Sequence, residues 1–197
     1  MKKILLTILL LLNMVYANKS YEDEKTLKIG TVKYSNLDNN IKTFYLGLQR
    51  ERRQDIFLVD YTQLDLRNNN IKKDGNVFNV SYIFKLAYEN EIIFGPKFSY
   101  IRYDFDNYSD DYVKIGLYSG YNISDNFRLY GNLVLNDTLK KRKEKELNNI
   151  DFGIDYKNND ITYSINIETS LSINIHDSRF FASDEYEKIL FSIGFNY

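Results

Sequence analysis

Residues 111–136, DYVKIGLYSGYNISDNFRLYGNLVLN, contain the pattern that decides the fold. Two segments in which apolar and polar residues alternate flank the short turn Ser124–Asn126. Successive side chains of a β-strand point to opposite faces, so this stretch predicts a hairpin with one apolar face and one polar face. Each arm has about 10–12 residues, which is enough for a tilted strand to cross the hydrocarbon core of a bilayer. The hairpin therefore predicts a membrane-spanning β-barrel.

The composition of the chain agrees with this prediction. The 197 residues include 18 tyrosines, one proline and no cysteine, and the formal net charge is −1. The lack of cysteine excludes disulfides, thiol catalysis and thiolate metal sites, and the charge gives no indication of a nucleic-acid partner. A mean hydropathy of −0.44 suits a transmembrane barrel, because half of its strand residues face a polar interior. No cofactor and no metal are predicted.

Residues 1–17, MKKILLTILLLLNMVYA, predict a secretory signal peptide. Two lysines precede an apolar run, and the stretch ends at Ala17 with small residues where signal peptidase needs them. The apolar run is too short for a transmembrane helix, which needs about 20 residues. We expect cleavage after Ala17, a flexible lead-in over residues 18–26, and a barrel domain over residues 27–197.

The alternation of the opening stretch recurs along the mature chain and predicts an all-β, antiparallel up-and-down barrel of ten strands. The predicted strands cover residues 27–34, 41–50, 56–67, 77–88, 92–103, 112–123, 127–136, 150–156, 161–175 and 186–197. The first and third are the weakest, so eight strands is the alternative. The third contains the apolar run Ile56–Val59, which a β-bulge would explain, and residues 68–75 are predicted to be a loop.

The turns after the fourth, sixth and eighth predicted strands are short, whereas the turns after the third, fifth, seventh and ninth are longer. Bacterial outer-membrane barrels have even strand numbers, short periplasmic turns and longer outer loops. Aromatic residues flank the short turns on the apolar face, as in the girdles at membrane interfaces. The predicted girdle comprises Tyr88, Phe94, Tyr121, Phe127, Tyr156 and Tyr163. A secreted sandwich or lipocalin-like barrel, in which these apolar faces would point inward, is the alternative architecture.

The polar faces of the strands carry charges of both signs. The predicted interior charges are Lys85, Lys97, Lys114, Arg128, Asp151, Asp155 and Glu168. Two hypotheses account for them. The first is a network of ion pairs that fills a narrow barrel, and the second is an open pore whose lining charges set its ion preference.

The C-terminal residues resemble the assembly signal of bacterial outer-membrane proteins. Apolar residues occupy every second position and the last residue is aromatic, in the order Phe191, Ile193, Phe195 and Tyr197. The chain as a whole resembles the small, porin-like outer-membrane β-barrel families. The resemblance implies an outer-membrane location, the barrel-assembly machinery as a partner during biogenesis, and outer-membrane lipids and lipopolysaccharide as surroundings. It also implies a monomer that acts as a small porin or passive channel, or as a structural surface barrel.

Two other functions are compatible with the sequence. His176 and Ser178 form an H-x-S pattern similar to that of outer-membrane lipid A deacylases, and that resemblance implies a base and a nucleophile. Arg179 stands where that family has asparagine. The second alternative is a surface adhesin or binding protein that uses its outer loops, among them the basic run Lys140–Lys143. Lipopolysaccharide phosphates are a further expected contact of that run.

Overall fold

The computed structural model describes residues 23–34, 41–68, 71–89, 91–105, 108–137, 148–174 and 179–197. These residues form eleven strand segments in one antiparallel sheet. The segments are β1 (Glu24–Tyr34), β2 (Ile41–Glu51), β3 (Asp55–Asn68), β4 (Ile71–Phe84), β5 (Ala87–Glu89), β6 (Ile92–Phe105), β7 (Tyr108–Ser124), β8 (Phe127–Asp137), β9 (Asn148–Asn158), β10 (Ile161–Asn174) and β11 (Arg179–Asn196). Within these ranges, the chain has no helix of the length and apolarity that a membrane span requires.

The sheet closes on itself as a barrel with ten strand positions, and we call each of these positions a stave. Segments β4 and β5 both pair with β6 and form one interrupted stave, and every other stave is a single strand. The first and last strands close the ring, with Thr26 opposite Asn196 and Tyr34 opposite Lys188. The predicted all-β, ten-stranded antiparallel barrel is therefore confirmed, and eight strands is excluded.

The register of the staves fixes the stagger of the barrel. The row of paired residues that begins at Asn122 of β7 passes once around the ring and returns to β7 at Asp110, twelve residues away. Such a stagger requires tilted strands, which in barrels lie at about 35–45° to the axis. We call the end that carries residues 52–54, 125–126 and 159–160 the turn end, and the opposite end the loop end.

Tight turns join the strands at the turn end. Asn159 has a φ of 52°, a left-handed conformation that asparagine tolerates better than most residues, and it joins β9 to β10. At the loop end, the strands are longer than predicted. β3 and β4 remain paired to Asn68 and Ile71, so most of the predicted loop over residues 68–75 is strand. The alternation of apolar and polar residues does not reveal these extensions, because the two faces of the strands do not differ in polarity there.

The irregularity expected in the third strand lies elsewhere. β3 pairs without a register shift on both sides, and its apolar run arises because both faces are apolar there: Ile56 points inward and Phe57 outward. The interruption falls between β4 and β5, where Leu86 N donates a hydrogen bond to Phe94 O at 2.8 Å. Gly95 permits this close approach, since a Cβ at that position would lie 1.7 Å from Phe84 O.

The two faces of the barrel differ in polarity. Among the residues whose side chains the structure describes, twenty-six large apolar ones are exposed, and every stave contributes at least one of them to the outward face. On β7 these residues run from Val113 to Ile123. At about 3.3 Å per residue and a tilt of 35–45°, ten steps rise roughly 25 Å, the height of the apolar band of an outer-membrane barrel.

Candidate functional site

The interior of the barrel contains a group of ionisable side chains. All seven residues predicted as interior charges lie on the inward-facing positions of their strands, as the register and the burial pattern show. Charged residues that were not predicted also line the interior cavities, among them Lys28, Glu51, Asp60 and Lys188. The interior side chains form three layers from the turn end to the loop end.

The first layer is an ion-pair cluster around Glu51. One carboxylate oxygen of Glu51 lies 2.6 Å from Arg128 Nη1, and the other lies 2.8 Å from Lys85 Nζ. Glu51 lies on β2 and Arg128 on β8, five staves apart in a ring of ten, so their ion pair crosses the full width of the interior. Lys85 Nζ also donates to the carbonyl of Arg52 at 2.6 Å. The interruption between β4 and β5 thus positions Lys85 over the end of β2.

Two further ion pairs cross part of the interior near this layer. Lys28 Nζ lies 3.8 Å from Asp155 Oδ1, and Lys157 Nζ lies 2.8 Å from Glu24 Oε1. The second pair is more exposed than the Glu51 cluster, with about 40% of each side chain accessible. Exposed ion pairs contribute about 0–1 kcal/mol, whereas breaking a buried one costs about 3–5 kcal/mol. The Glu51 cluster is therefore the energetically significant part of the layer.

Asp23 directly precedes β1 and binds two arginines. Its carboxylate accepts hydrogen bonds from Arg50 Nε at 3.2 Å and from Arg52 Nε at 3.1 Å. The hydrogen bond from Arg50 is the main cause that lowers the pKa of Asp23. A lowered carboxyl pKa contributes stability above the pKa of the unfolded chain, and that stability is lost as the pH falls.

The second layer is apolar. Ile56, Ile83, Ile93 and Tyr118 pack together with 1–6% of their surfaces exposed, and Leu58 and Tyr130 lie against them. Tyr130 lies flat on the wall over Gly153, since a Cβ at Gly153 would lie 2.1 Å from the Tyr130 ring. The glycine leaves room for the ring where a larger residue would push it into the interior.

The third layer is polar and lies toward the loop end. Lys188 Nζ lies 3.1 Å from Glu168 Oε2, and the hydroxyls of Ser81 and Ser99 lie 2.8 Å apart. Lys114 and Asp151 are only 6% and 9% exposed. These two side chains are therefore packed against their neighbours, whereas Lys188 and Glu168 in the same layer keep 24% and 20% of their side chains exposed.

Two cavities lie inside the barrel. A central chamber of about 160 Å³ is lined by residues of the second and third layers. A vestibule of about 420 Å³ lies at the turn end. Four residues line both cavities, namely Lys28, Gln49, Arg128 and Asp155. The ion-pair layer therefore stands between the two cavities.

The outward face places most of the predicted girdle at the turn end. Phe127, Tyr156 and Tyr163 occupy one paired row, with ring centroids 4.6 Å and 6.3 Å apart. Phe94 and Tyr121 are also exposed there, and Tyr121 Oη donates to Glu91 at 3.1 Å. The four positions of the predicted assembly signal are 44–53% exposed: Phe191, Ile193 and Phe195 on the outward face of β11, and Tyr197 directly after it. Their roles as girdle and assembly signal stay predictions.

The remaining predicted residues have a different outcome. The register pairs Tyr88 with Ile93 and Ala87 with Phe94, because the interruption before β5 shifts the pairing by one residue. The sequence predicts Tyr88 and Phe94 on the same apolar face; Phe94 is exposed there, and the part of Tyr88 in the girdle stays a prediction. His176, Ser178 and the basic run Lys140–Lys143 lie outside the described residues, as does the signal peptide.

Sequence reasoning missed several interior charges that had recognisable signals in the sequence, among them Lys28, Glu51, Asp60 and Lys188. Glu51 follows the alternation of β2 for one step beyond the predicted strand end. Lys28 and Lys188 lie in the weakly patterned first strand and at the start of the predicted last strand. Asp60 lies in the strand whose apolar run obscured its parity. Extending each alternation by parity alone would have found them.

No protein-family model matches the sequence, and no curated protein matches it either. Solved structures to which the chain is similar include an outer membrane protein of Vibrio cholerae, OmpT, in its trimer form. That match has 13% identity and a TM-score of 0.36, and it covers 87% of this chain and 64% of OmpT. Neisserial surface protein A matches with 10% identity and a TM-score of 0.35 over 88% of this chain and 94% of its own. The chain thus spans less than two thirds of the OmpT structure.

Proposed function

We propose that this chain is an integral outer-membrane β-barrel protein whose lumen is closed at rest. The observation that carries the proposal is the inverted distribution of polarity. Apolar side chains cover the outside of all ten staves, whereas buried ion pairs fill the inside. A soluble monomer rarely exposes an apolar patch larger than a few hundred Å², so a continuous apolar belt requires a lipid environment. A closed barrel also leaves no unpaired strand edge in that environment.

The sequence adds the location to this proposal. The predicted signal peptide directs the chain out of the cytoplasm, and the terminal aromatic pattern is similar to the assembly signal of outer-membrane proteins. With the start of β1 and the end of β11 at the turn end, the turns would face the periplasm and the loops the outside. The role that these features support is that of a structural surface barrel.

A second function, that of a small channel, is favoured by a specific observation. The vestibule and the central chamber share four lining residues and are separated by the layer of Glu51 and Arg128. Opening that one ion pair would join the two cavities. A channel that is closed at rest is therefore the alternative to a purely structural barrel.

A charged substitution on the outward face tests the membrane assignment. Phe152 is 59% exposed in the middle of β9, whereas Gln63 is exposed near the loop end of β3. We expect Phe152→Arg to lower the free energy of unfolding in lipid bilayers by about 2–4 kcal/mol and Gln63→Arg by about 0–1 kcal/mol, because the cost of arginine depends on depth. Urea unfolding of the two variants in phospholipid vesicles measures the difference. Equal, small effects at both positions would contradict a lipid-facing β9.

A further inference from the structure

The central chamber contains buried polar atoms that the protein leaves without hydrogen bonds. Four side-chain atoms with almost no accessible surface lack a partner within the described residues: Asn132 Oδ1, Asp155 Oδ1, Ser164 Oγ and Ser192 Oγ. All four residues line the chamber. A buried polar atom without a partner costs about 1–3 kcal/mol, so four of them in one cavity indicate a ligand that supplies hydrogen bonds.

Three of these atoms belong to consecutive members of one row. Asp155 is paired with Ser164, and Ser164 is paired with Ser192, so their side chains lie side by side on β9, β10 and β11. Ser164 and Ser192 are 4% and 6% exposed. Lys28 Nζ lies 3.8 Å from Asp155 Oδ1, a separation that exceeds a direct hydrogen bond and fits a bridging molecule.

The hydrogen-bonding groups of the row and the charges around it indicate which kind of ligand it binds. Its unpartnered atoms are oxygens that accept hydrogen bonds, and the serine hydroxyls also donate them. The same cavity is lined by four basic and four acidic residues, so its formal charges balance and favour neither a cation nor an anion: Lys28, Lys97, Arg128 and Lys188, and Asp60, Asp151, Asp155 and Glu168. Among the described residues, no group of three or more potential metal ligands is found. Water accepts and donates without charge, and 160 Å³ holds at least about five molecules at roughly 30 Å³ each.

We propose that the row Asp155–Ser164–Ser192 binds internal water and makes the chamber the preformed, hydrated half of a path for small hydrated ions. The path ends at the Glu51–Arg128 layer, beyond which the vestibule begins. This inference rests on the channel alternative for its functional part. The water site itself stands on the cavity and its unpartnered atoms.

The sign of a stability change tests the water site. If the hydroxyls of Ser164 and Ser192 bind water, the double variant Ser164→Ala, Ser192→Ala loses those hydrogen bonds and its urea midpoint falls. If the hydroxyls are dry, alanine removes two unsatisfied groups and the midpoint rises or stays unchanged, which would overturn the site. Ser99→Ala is the matched control. Its hydroxyl bonds to Ser81 at 2.8 Å, so its midpoint falls in either case.

Nuclear magnetic resonance of the wild-type barrel in micelles keeps the test independent of variant folding. We expect cross-peaks between water and the amides of Ser164 and Ser192, and none at Ser81, whose hydroxyl is bonded within the protein. Water contacts at neither serine of the row would overturn the site. If the site is confirmed and a variant with an opened ion-pair layer does not conduct, the chamber is hydrated and the path is excluded. Failure of the path leaves the membrane barrel itself untouched.

Discussion

Glu51→Ala is expected to convert a closed barrel into a conducting one. The substitution removes the acceptor that holds Arg128 across the interior and Lys85 beside it. Arg128 then has no partner on the opposite wall, so the layer between vestibule and chamber opens. In planar bilayers we expect no steady current from the wild type and discrete channels from Glu51→Ala.

The same variant is expected to be less stable. Lys85 has only 1% of its side chain exposed, so removing Glu51 takes away a carboxylate that lies 2.8 Å from a buried ammonium group. Breaking a buried pair from one side costs about 3–5 kcal/mol. The double variant Glu51→Ala, Arg128→Ala is expected to lose less stability than Glu51→Ala alone, because it also removes the guanidinium that Glu51 binds.

Glu24→Ala is the matched control for both measurements. Glu24 is paired with Glu51 in register, lies at the same end of the barrel and also binds a lysine. Its ion pair is about 40% exposed and does not cross the full interior, so we expect a loss of about 0–1 kcal/mol and no current. Equal conductance of wild type, Glu51→Ala and Glu24→Ala would contradict the assignment of Glu51 as the closing residue.

The second large effect is expected at Gly95. A methyl group there would lie 1.7 Å from Phe84 O, and the carbonyl belongs to the backbone, so no side-chain rotation relieves the clash. The substitution would therefore remove the strand interruption that places Lys85 Nζ 2.8 Å from the Glu51 carboxylate. We expect Gly95→Ala to abolish most of the folded barrel, measured as the fraction with heat-dependent mobility on gels.

Gly131→Ala provides the comparison for Gly95→Ala. A Cβ at Gly131 would have its nearest neighbours at 3.4 Å, an ordinary contact distance. We therefore expect Gly131→Ala to fold to the wild-type level. A fully folded Gly95→Ala barrel would show that β4 and β5 tolerate a different register, and the position of Lys85 would have to be reassigned.

The sequence predicted most of the fold because alternation is a local signal that survives wherever one face of a strand is apolar and the other polar. The hairpin of β7 and β8 illustrates this, since the odd-numbered residues from Val113 to Ile123 point outward, whereas Lys114 and Arg128 point inward. Local alternation failed in two places for physical reasons. At Ile56–Val59 both faces are apolar because Ile56 joins the interior cluster. At Lys85–Leu86 a one-residue shift changes the pairing of the short segment Ala87–Glu89 that follows.

The candidate site was only half predictable from the sequence. Alternation shows which residues face inward, and it placed Lys85, Arg128 and Asp155 correctly in the interior. It contains no information on which charges meet across the barrel, because that depends on the stagger of the staves. The pairing of Glu51 with Arg128 follows only after the register places β2 opposite β8.

The orientation of the apolar face is the central claim, and lipid quenching tests it most directly. The chain has no cysteine, so a single introduced cysteine carries the only label. We expect a fluorophore on Leu117→Cys, in the outward stripe of β7, to be strongly quenched by brominated acyl chains in reconstituted vesicles. The same fluorophore on Asp125→Cys, in the turn, is expected to be quenched weakly. A label on Leu117→Cys that lipid bromines do not quench, in a protein that stays in solution, would contradict the membrane barrel.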